Sequence, residues 1–162
     1  MDEKIMTNLE PLDNFISAYC SVPGKFLDVG GDGSIIRSFV ESIGHKYQSL
    51  NLGRGTINVE EDPWHWPMIP DNEYDYVISI TAFEHIEFPW LTFLEMVRVT
   101  KHNGIIYILA PSSGGIHPNP LDCYRYFPDS MRAFAKWGKV ELISTKIYPG
   151  GFEYCEGIFK KW

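Results

Sequence analysis

The sequence is poor in cysteine and in positive charge, and it contains no long apolar run. Its three cysteines, Cys20, Cys123 and Cys155, lie far apart and form no CxxC pair. That excludes a disulfide framework and reads as a reduced, cytoplasmic protein. Lys and Arg number 14 against 21 Asp and Glu, leaving a net charge of −7. An acidic chain grips a phosphate backbone poorly, so nucleic-acid substrates rank low. No stretch is long and apolar enough to span a bilayer. The segment from Met1 to Phe15 carries acids and has no apolar signal core. The five histidines show neither HxxxH nor HExxH spacing, so no metal site is expected. A G-x-S-x-G elbow and a P-loop are missing too.

What is present is a core and a rhythm. The 162 residues are 44% hydrophobic, enough for one domain spanning 1–162. A helix is expected at about 8–20, with Pro11 in its first turn and Leu12, Phe15, Ile16 and Tyr19 on one face. Lys25 to Val29 reads as a strand that runs into a glycine turn, Gly30 to Ser34. A helix follows, with Ile36, Phe39, Val40 and Ile43 on one side and Gly44 as its stop. Tyr47 to Leu52 and Ile57 to Val59 are the next strands. The link between them is too short for a helix. The sheet face left bare there is compatible with cover from a second subunit in a homodimer.

Tyr74 to Ile80 reads as a buried strand, Pro89 to Thr100 as an amphipathic helix, and Ile105 to Ala110 as the most apolar strand. After a long loop, Pro128 starts a helix that Gly138 stops. Val140 to Tyr148 and Phe152 to Phe159 then make a hairpin. Apolar strands alternating with helices predict an α/β fold: a doubly wound, mostly parallel, Rossmann-like sheet with a C-terminal antiparallel hairpin. Its cofactor-binding half is expected at about 25–80 and its substrate-side half at about 81–162.

The turn after the first strand should face the ligand. Glycines let backbone approach a ligand closely, and the following helix start offers free amides. In open α/β sheets ligands sit beyond the carboxyl ends of the strands. The nicotinamide fingerprint G-x-G-x-x-G fits badly, because from Gly31 its third glycine falls on Ile36. An acid before the turn, Asp28, resembles instead the class I S-adenosylmethionine-dependent methyltransferases. Tyr74-Asp75-Tyr76-Val77-Ile78-Ser79 with Phe83-Glu84-His85-Ile86 resembles their fourth strand and the loop after it. Leu94 to Thr100 with Asn103-Gly104-Ile105-Ile106 resembles their "E-x-x-R-V-L-K-P-G-G" segment.

The resemblance implies that Asp28 and the backbone of Gly30, Gly31 and Gly33 hold the amino-acid part of S-adenosylmethionine. It places Asn51 where the family has an acid for the ribose hydroxyls. Asp62, or alternatively Glu61, falls where an acid meets the adenine, and Thr81 to His85 border the methyl-transfer site. Two family glycines map onto Asp32 and Ser34 in an ungapped alignment, and a gapped one that matches a "D-x-x-G-S" variant serves equally well. Trp64, His65 and Trp66 suggest a lid over the cofactor, with core plugs as the plainer reading.

The loop from Ala110 to Asp129 resembles the "P-S-S-G…H…P-x-D-C-W-R-F-x-P-D" segment of a methyltransferase type 11-like subgroup associated with sugar and polysaccharide modification. Tyr124 stands at the Trp position. A hydroxyl acceptor must lose a proton, which His117 or His85 can take. Asp122 can orient such a histidine or bind a substrate hydroxyl, and Arg125 can hold an anionic group. The expected activity is methyl transfer to a hydroxyl, or a similar nucleophile, of a small molecule or glycan precursor. The rivals are a degenerate domain of the same fold without turnover and a nucleotide-binding oxidoreductase.

Overall fold

The computed structural model describes residues 10–32, 35–59 and 62–162. Gly33, Ser34 and Glu61, named above, lie outside the described residues. The elements are α1 (Glu10–Tyr19), β1 (Lys25–Val29), α2 (Ile35–Ser42), β2 (Lys46–Asn51), β3 (Ile57–Asn58), β4 (Tyr74–Ile80), a 3-10 turn (Phe83–His85), α3 (Pro89–Val99), β5 (Thr100–Pro111), α4 (Pro128–Gly138), β6 (Glu141–Tyr148) and β7 (Tyr154–Lys160). Among the described residues they build one seven-stranded sheet in the order β3-β2-β1-β4-β5-β7-β6. Every pairing from β3 to β5 is parallel. Only β7 runs against its neighbours, β5 and β6. The expected doubly wound sheet with its closing hairpin is the observed one. No helix among the described residues is long and apolar enough to cross a membrane.

Strand residues alternate between two buried faces, as the period of two requires. Phe26, Tyr76, Ile78 and Tyr107 point to the side covered by Leu12, Phe15 and Ile16 of α1 and Val40 of α2. Leu27, Val29, Val77 and Ile106 point to the side covered by Phe93 and Met96 of α3 and Met131 and Phe134 of α4. On that second side no helix joins β2 to β3. The segment after β3 takes its place. Trp66 is 0% exposed and Ile69 is 3% exposed, both within the same core.

Two residues of the "E-x-x-R" helix hold this cover down. Glu95 accepts the Trp66 backbone N–H at 2.8 Å. Arg98 donates to the carbonyls of Trp66 and Ile69 and pairs with Glu95 and Asp71. The bare face expected from the short link is therefore filled from within the chain. Trp66 is a core plug and not a lid, and Trp64 stacks edge-on against Phe88.

Three of the boundaries that differ from the sequence reading have a clear physical reason. Strand β5 begins at Thr100, well before Ile105, because Thr100 already pairs with Tyr74 of β4 and the polar stretch Lys101 to Gly104 bulges out between that pair and Ile105–Tyr76. Helix α4 runs through Gly138, and the left-handed residue that ends it is Lys139, at φ 53°. Gly138 serves close packing instead: a Cβ there would stand 2.7 Å from the Phe93 ring. Ile43, expected on the apolar face of α2, lies beyond the helix end and is exposed.

Candidate active site

The strand order reverses at β1. The chain moves outward from β1 to β2 and β3, then returns to β4 on the other side. Such a switch point leaves a crevice beyond the strand ends. A cleft of about 440 Å³ opens there, within the range of small-molecule sites. Asp28 and Val29 of β1, Leu50 and Asn51 of β2, and Ile80 of β4 with Thr81 form its floor. Gly30, Gly31, Ala82, His85 and Ile86 line its walls, and Asn119 and Pro120 of the long loop stand at its edge.

The glycine turn is shaped by what would collide with it. A Cβ on Gly30, at φ +89°, would lie 2.3 Å from the Ala82 Cβ, so the turn and the residues after β4 close to contact. A Cβ on Gly31 would lie 2.1 Å from Asp28 Oδ2. The missing side chain makes room for the carboxylate beneath it. Asp28 is 1% exposed, and Tyr47 donates its hydroxyl to Oδ2 at 2.6 Å. Burial pushes the Asp28 carboxyl up from 3.8 to about 7; the Tyr47 hydrogen bond opposes this, and the nearby Asp32 charge adds to it.

Asn51 also lines the cleft, but its amide is committed to protein groups. Nδ2 donates to the carbonyls of Gly30 and Gly31 at 3.0 and 3.2 Å. Oδ1 accepts the Leu52 N–H. The side chain at the ribose position thus clamps the glycine turn. Thr81 holds φ 49°, a strained conformation for a β-branched residue, with its N–H bonded to Leu109 O. Asp62 is exposed and stands next to Pro63 of the lining, outside the lining itself. Of the expected cofactor residues, Asp28, Gly30, Gly31, Asn51 and Thr81 meet in one cleft.

The expected substrate-side residues also converge. The loop after β5 is zipped onto the 83–87 segment. Cys123 N–H donates to Glu84 O at 2.7 Å, Tyr126 O–H to Phe83 O at 2.9 Å and Tyr124 O–H to Glu87 O at 3.0 Å. Arg125 makes a two-pronged pair with Asp122, at 2.5 and 2.9 Å, and donates to the carbonyls of Gly115 and Tyr124. The guanidinium holds the Asp122 carboxyl well below the usual carboxylate range. Asp122 in turn accepts the His117 backbone N–H at 2.8 Å. Both residues spend their charge on the shape of the loop.

His85 and His117 stand edge to face, with ring centroids 5.2 Å apart. Each has its Nδ1 on a carbonyl: His85 on Leu121 O at 2.5 Å, His117 on Gly115 O at 2.9 Å. A carbonyl only accepts, so both Nδ1 atoms carry the proton and each Nε2 is turned elsewhere. Both Nε2 atoms face Glu84 Oε1, at 3.6 and 3.9 Å. Glu84 is 1% exposed, and burial pushes its carboxyl up. The sequence reading placed Glu84 only within the Thr81–His85 border of the methyl-transfer site, with no chemical role of its own. Its signal was an acid directly before His85 in the turn after β4.

Residues 33–108 match the family model described as a methyltransferase domain. No curated protein matches the sequence. Solved structures share the fold at low identity. A Burkholderia thailandensis 1,6-didemethyltoxoflavin-N1-methyltransferase, solved with 1,6-didemethyltoxoflavin and S-adenosylhomocysteine, is 12% identical with a TM-score of 0.76, over 94% of this chain and 77% of that one. A SAM-dependent methyltransferase from Archaeoglobus fulgidus is 14% identical with a TM-score of 0.75, over 98% and 97%. The [4+2]-cyclase SpnF is 13% identical with a TM-score of 0.72, over 94% and 80%. A cyclase among these neighbours means that the fold alone does not fix the reaction.

Proposed function

We propose that this enzyme, a methyltransferase with S-adenosylmethionine as its cofactor, methylates a hydroxyl or similar nucleophile of a small molecule or glycan precursor. The observation that carries the acceptor side is the meeting of His85 with the 112–127 loop at the edge of the same cleft that Asp28 and Gly31 line. The cleft suits the cofactor. It has a turn stripped of Cβ atoms and a buried carboxylate, Asp28, which accepts the Tyr47 hydroxyl. Asp28 and the Gly30–Gly31 backbone would hold the cofactor's amino-acid part. When bound, the cofactor supplies a methyl made electrophilic by its sulfonium. The protein's task is then to align an acceptor oxygen behind that methyl, exclude water and receive the hydroxyl proton. The Nε2 atoms of His85 and His117, gathered on Glu84, are the groups placed to draw that proton off. Asp122 and Arg125 position His117 by holding its loop.

A second reading, a domain of this fold without turnover, draws on Asn51. Its amide is spent on the glycine turn and leaves no acid at the ribose position. Calorimetry with S-adenosylmethionine and S-adenosylhomocysteine separates the readings from the nicotinamide alternative. Binding of both is expected, and binding of NAD instead would replace the proposal. Transfer of labelled methyl to hydroxylated sugars and small molecules then tests turnover. Labelling of amines alone would overturn the hydroxyl acceptor. Under this proposal His117→Ala spares cofactor binding and lowers turnover.

A further inference from the structure

We infer that Glu84, His85 and His117 form a binding site for a divalent cation with borderline preference, of the Zn2+ class, on the acceptor side of the cleft. Among the described residues this is the one place where three side chains of metal-ligating type bring donor atoms together, all within 4.8 Å of one another. Two imidazole nitrogens and one carboxylate are a donor set that holds catalytic zinc with coordination positions left open. Nitrogen donors select such an ion over Mg2+, which prefers oxygen and retains its waters.

Three independent features point the same way. Both histidines present Nε2 to the shared centre because a backbone carbonyl engages each Nδ1–H, at Leu121 and Gly115. Carbonyl partners of this kind orient metal-bound histidines and fix their tautomer. Glu84 is 1% exposed, yet its Oε2 has no hydrogen-bond partner among the described residues. A buried carboxyl oxygen left open in this way calls for a partner, and an ion held between it and the two histidines supplies one. Finally, the distances are those of a site before contraction. Bonds of about 2.1 Å set ligand-to-ligand edges of about 3.4 Å in a tetrahedral site. The observed Nε2-to-carboxylate separations are 3.6 and 3.9 Å. His117 sits on the outer loop with a half-exposed side chain, so it can close the gap.

This inference rests on the proposed acceptor site and deepens it. His85 belongs to the cleft lining, so an ion held by its Nε2 stands at the cleft wall. The ion accepts a lone pair from the acceptor hydroxyl and lowers its pKa. The hydroxyl proton leaves to solvent. The oxygen then forms the bond to the methyl carbon, and the departing sulfur keeps the electron pair of the broken carbon–sulfur bond. With the ion in place the two histidines act as ligands, and the ion's charge replaces a free imidazole in drawing off the proton. The acceptors favoured are those with a second oxygen beside the hydroxyl, which can occupy another open position.

The test is calorimetric titration of the chelator-stripped full chain with Zn2+, with Mg2+ as the comparison. One Zn2+ per chain is expected, with Mg2+ binding far more weakly. His117→Ala and Glu84→Gln should each weaken Zn2+ uptake tenfold or more, while His102→Ala, at the opposite end of the sheet, should not. Co2+ in place of Zn2+ should give d–d bands without thiolate charge transfer, since Cys123 is no ligand. S-adenosylmethionine binding retained in the variants checks that they fold, and His117→Ala serves if Glu84→Gln does not. No Zn2+ uptake, or uptake indifferent to both variants, overturns the site. Methyl transfer to a hydroxyl by the stripped protein at an undiminished rate would overturn the metal while leaving the proposed function standing.

Discussion

Asp28→Asn should stabilise the protein above pH 7 while removing cofactor binding. The carboxyl is 1% exposed, with Tyr47 donating to it at 2.6 Å. Holding it from 3.8 up to about 7 means that the fold disfavours its ionisation by about 4 kcal/mol. The sign follows from proton linkage. The folded chain keeps this proton to higher pH than the unfolded chain does. The stability it contributes is therefore complete below about pH 4 and is lost as pH rises to about 7. Asparagine occupies the same space, accepts from Tyr47 and never ionises. The stability difference, variant minus wild type, should thus grow with pH across that window by up to about 1.4 kcal/mol per pH unit, then level off. Urea denaturation of both proteins at intervals from pH 4 to 8 measures it, and other titrating groups cancel in the difference. A difference that stays flat across this range would refute the reasoning. So would a variant that becomes relatively less stable at high pH. Wild-type affinity for S-adenosylmethionine should rise with pH up to about 7, because a cationic ammonium favours the ionised carboxylate.

Gly31→Ala should weaken S-adenosylmethionine at least tenfold, about 1.4 kcal/mol by calorimetry, because its Cβ would stand 2.1 Å from Asp28 Oδ2. Asn51→Asp, which puts an acid at the ribose position, should weaken the cofactor and not strengthen it. A carboxylate cannot donate to the Gly30 and Gly31 carbonyls, and the turn loses about 1 kcal/mol of support. Tighter binding in that variant would contradict the clamp. Thr81→Gly should raise stability by roughly 0.5–1 kcal/mol in thermal denaturation, since it relieves φ 49° at some cost in chain entropy. Trp66→Ala should cost about 3–5 kcal/mol in urea denaturation, as a fully buried plug does.

Residues whose periodicity survived folding were legible. Tyr74 to Ile80 reads as a continuous apolar run because β1 and β5 flank it and both its faces are covered, and the observed strand has those same ends. Lys25 to Val29 is likewise unchanged. Polar residues drafted into regular structure were not legible. Lys101, His102 and Asn103 carry no strand pattern, yet they lie within β5 as a bulge between the Thr100–Tyr74 and Ile105–Tyr76 pairs. Trp66 was legible as a core plug or a lid, but not what decides between them, because the pair of polar contacts from Glu95 and Arg98 that holds it down is distant in sequence. The cleft was legible through its glycine turn. The commitment of Asn51 to that turn was not, since an amide at a strand end looks the same whether it waits for a ribose or holds a neighbouring loop.

The proposed metal site has no HxxxH spacing, for a physical reason that also explains its shape. HxxxH works when one helix presents both ligands on one face. Here Glu84 and His85 are adjacent on a 3-10 turn, and His117 arrives from the long loop after β5 that packs onto that turn. Their meeting depends on the Arg125–Asp122 pair and on the carbonyls of Leu121 and Gly115, none of which has a sequence spacing to read. The cleft region holds two carboxylates that the fold has dried out, Asp28 and Glu84, each 1% exposed. Among the described residues, neither is paired with a lysine or arginine side chain of its own. A buried carboxylate without such a partner costs stability wherever it stands. Two of them at one cleft make sense if positive charge comes from outside the chain at both places. The proposed sources are a cationic cofactor at Asp28 and a divalent ion at Glu84.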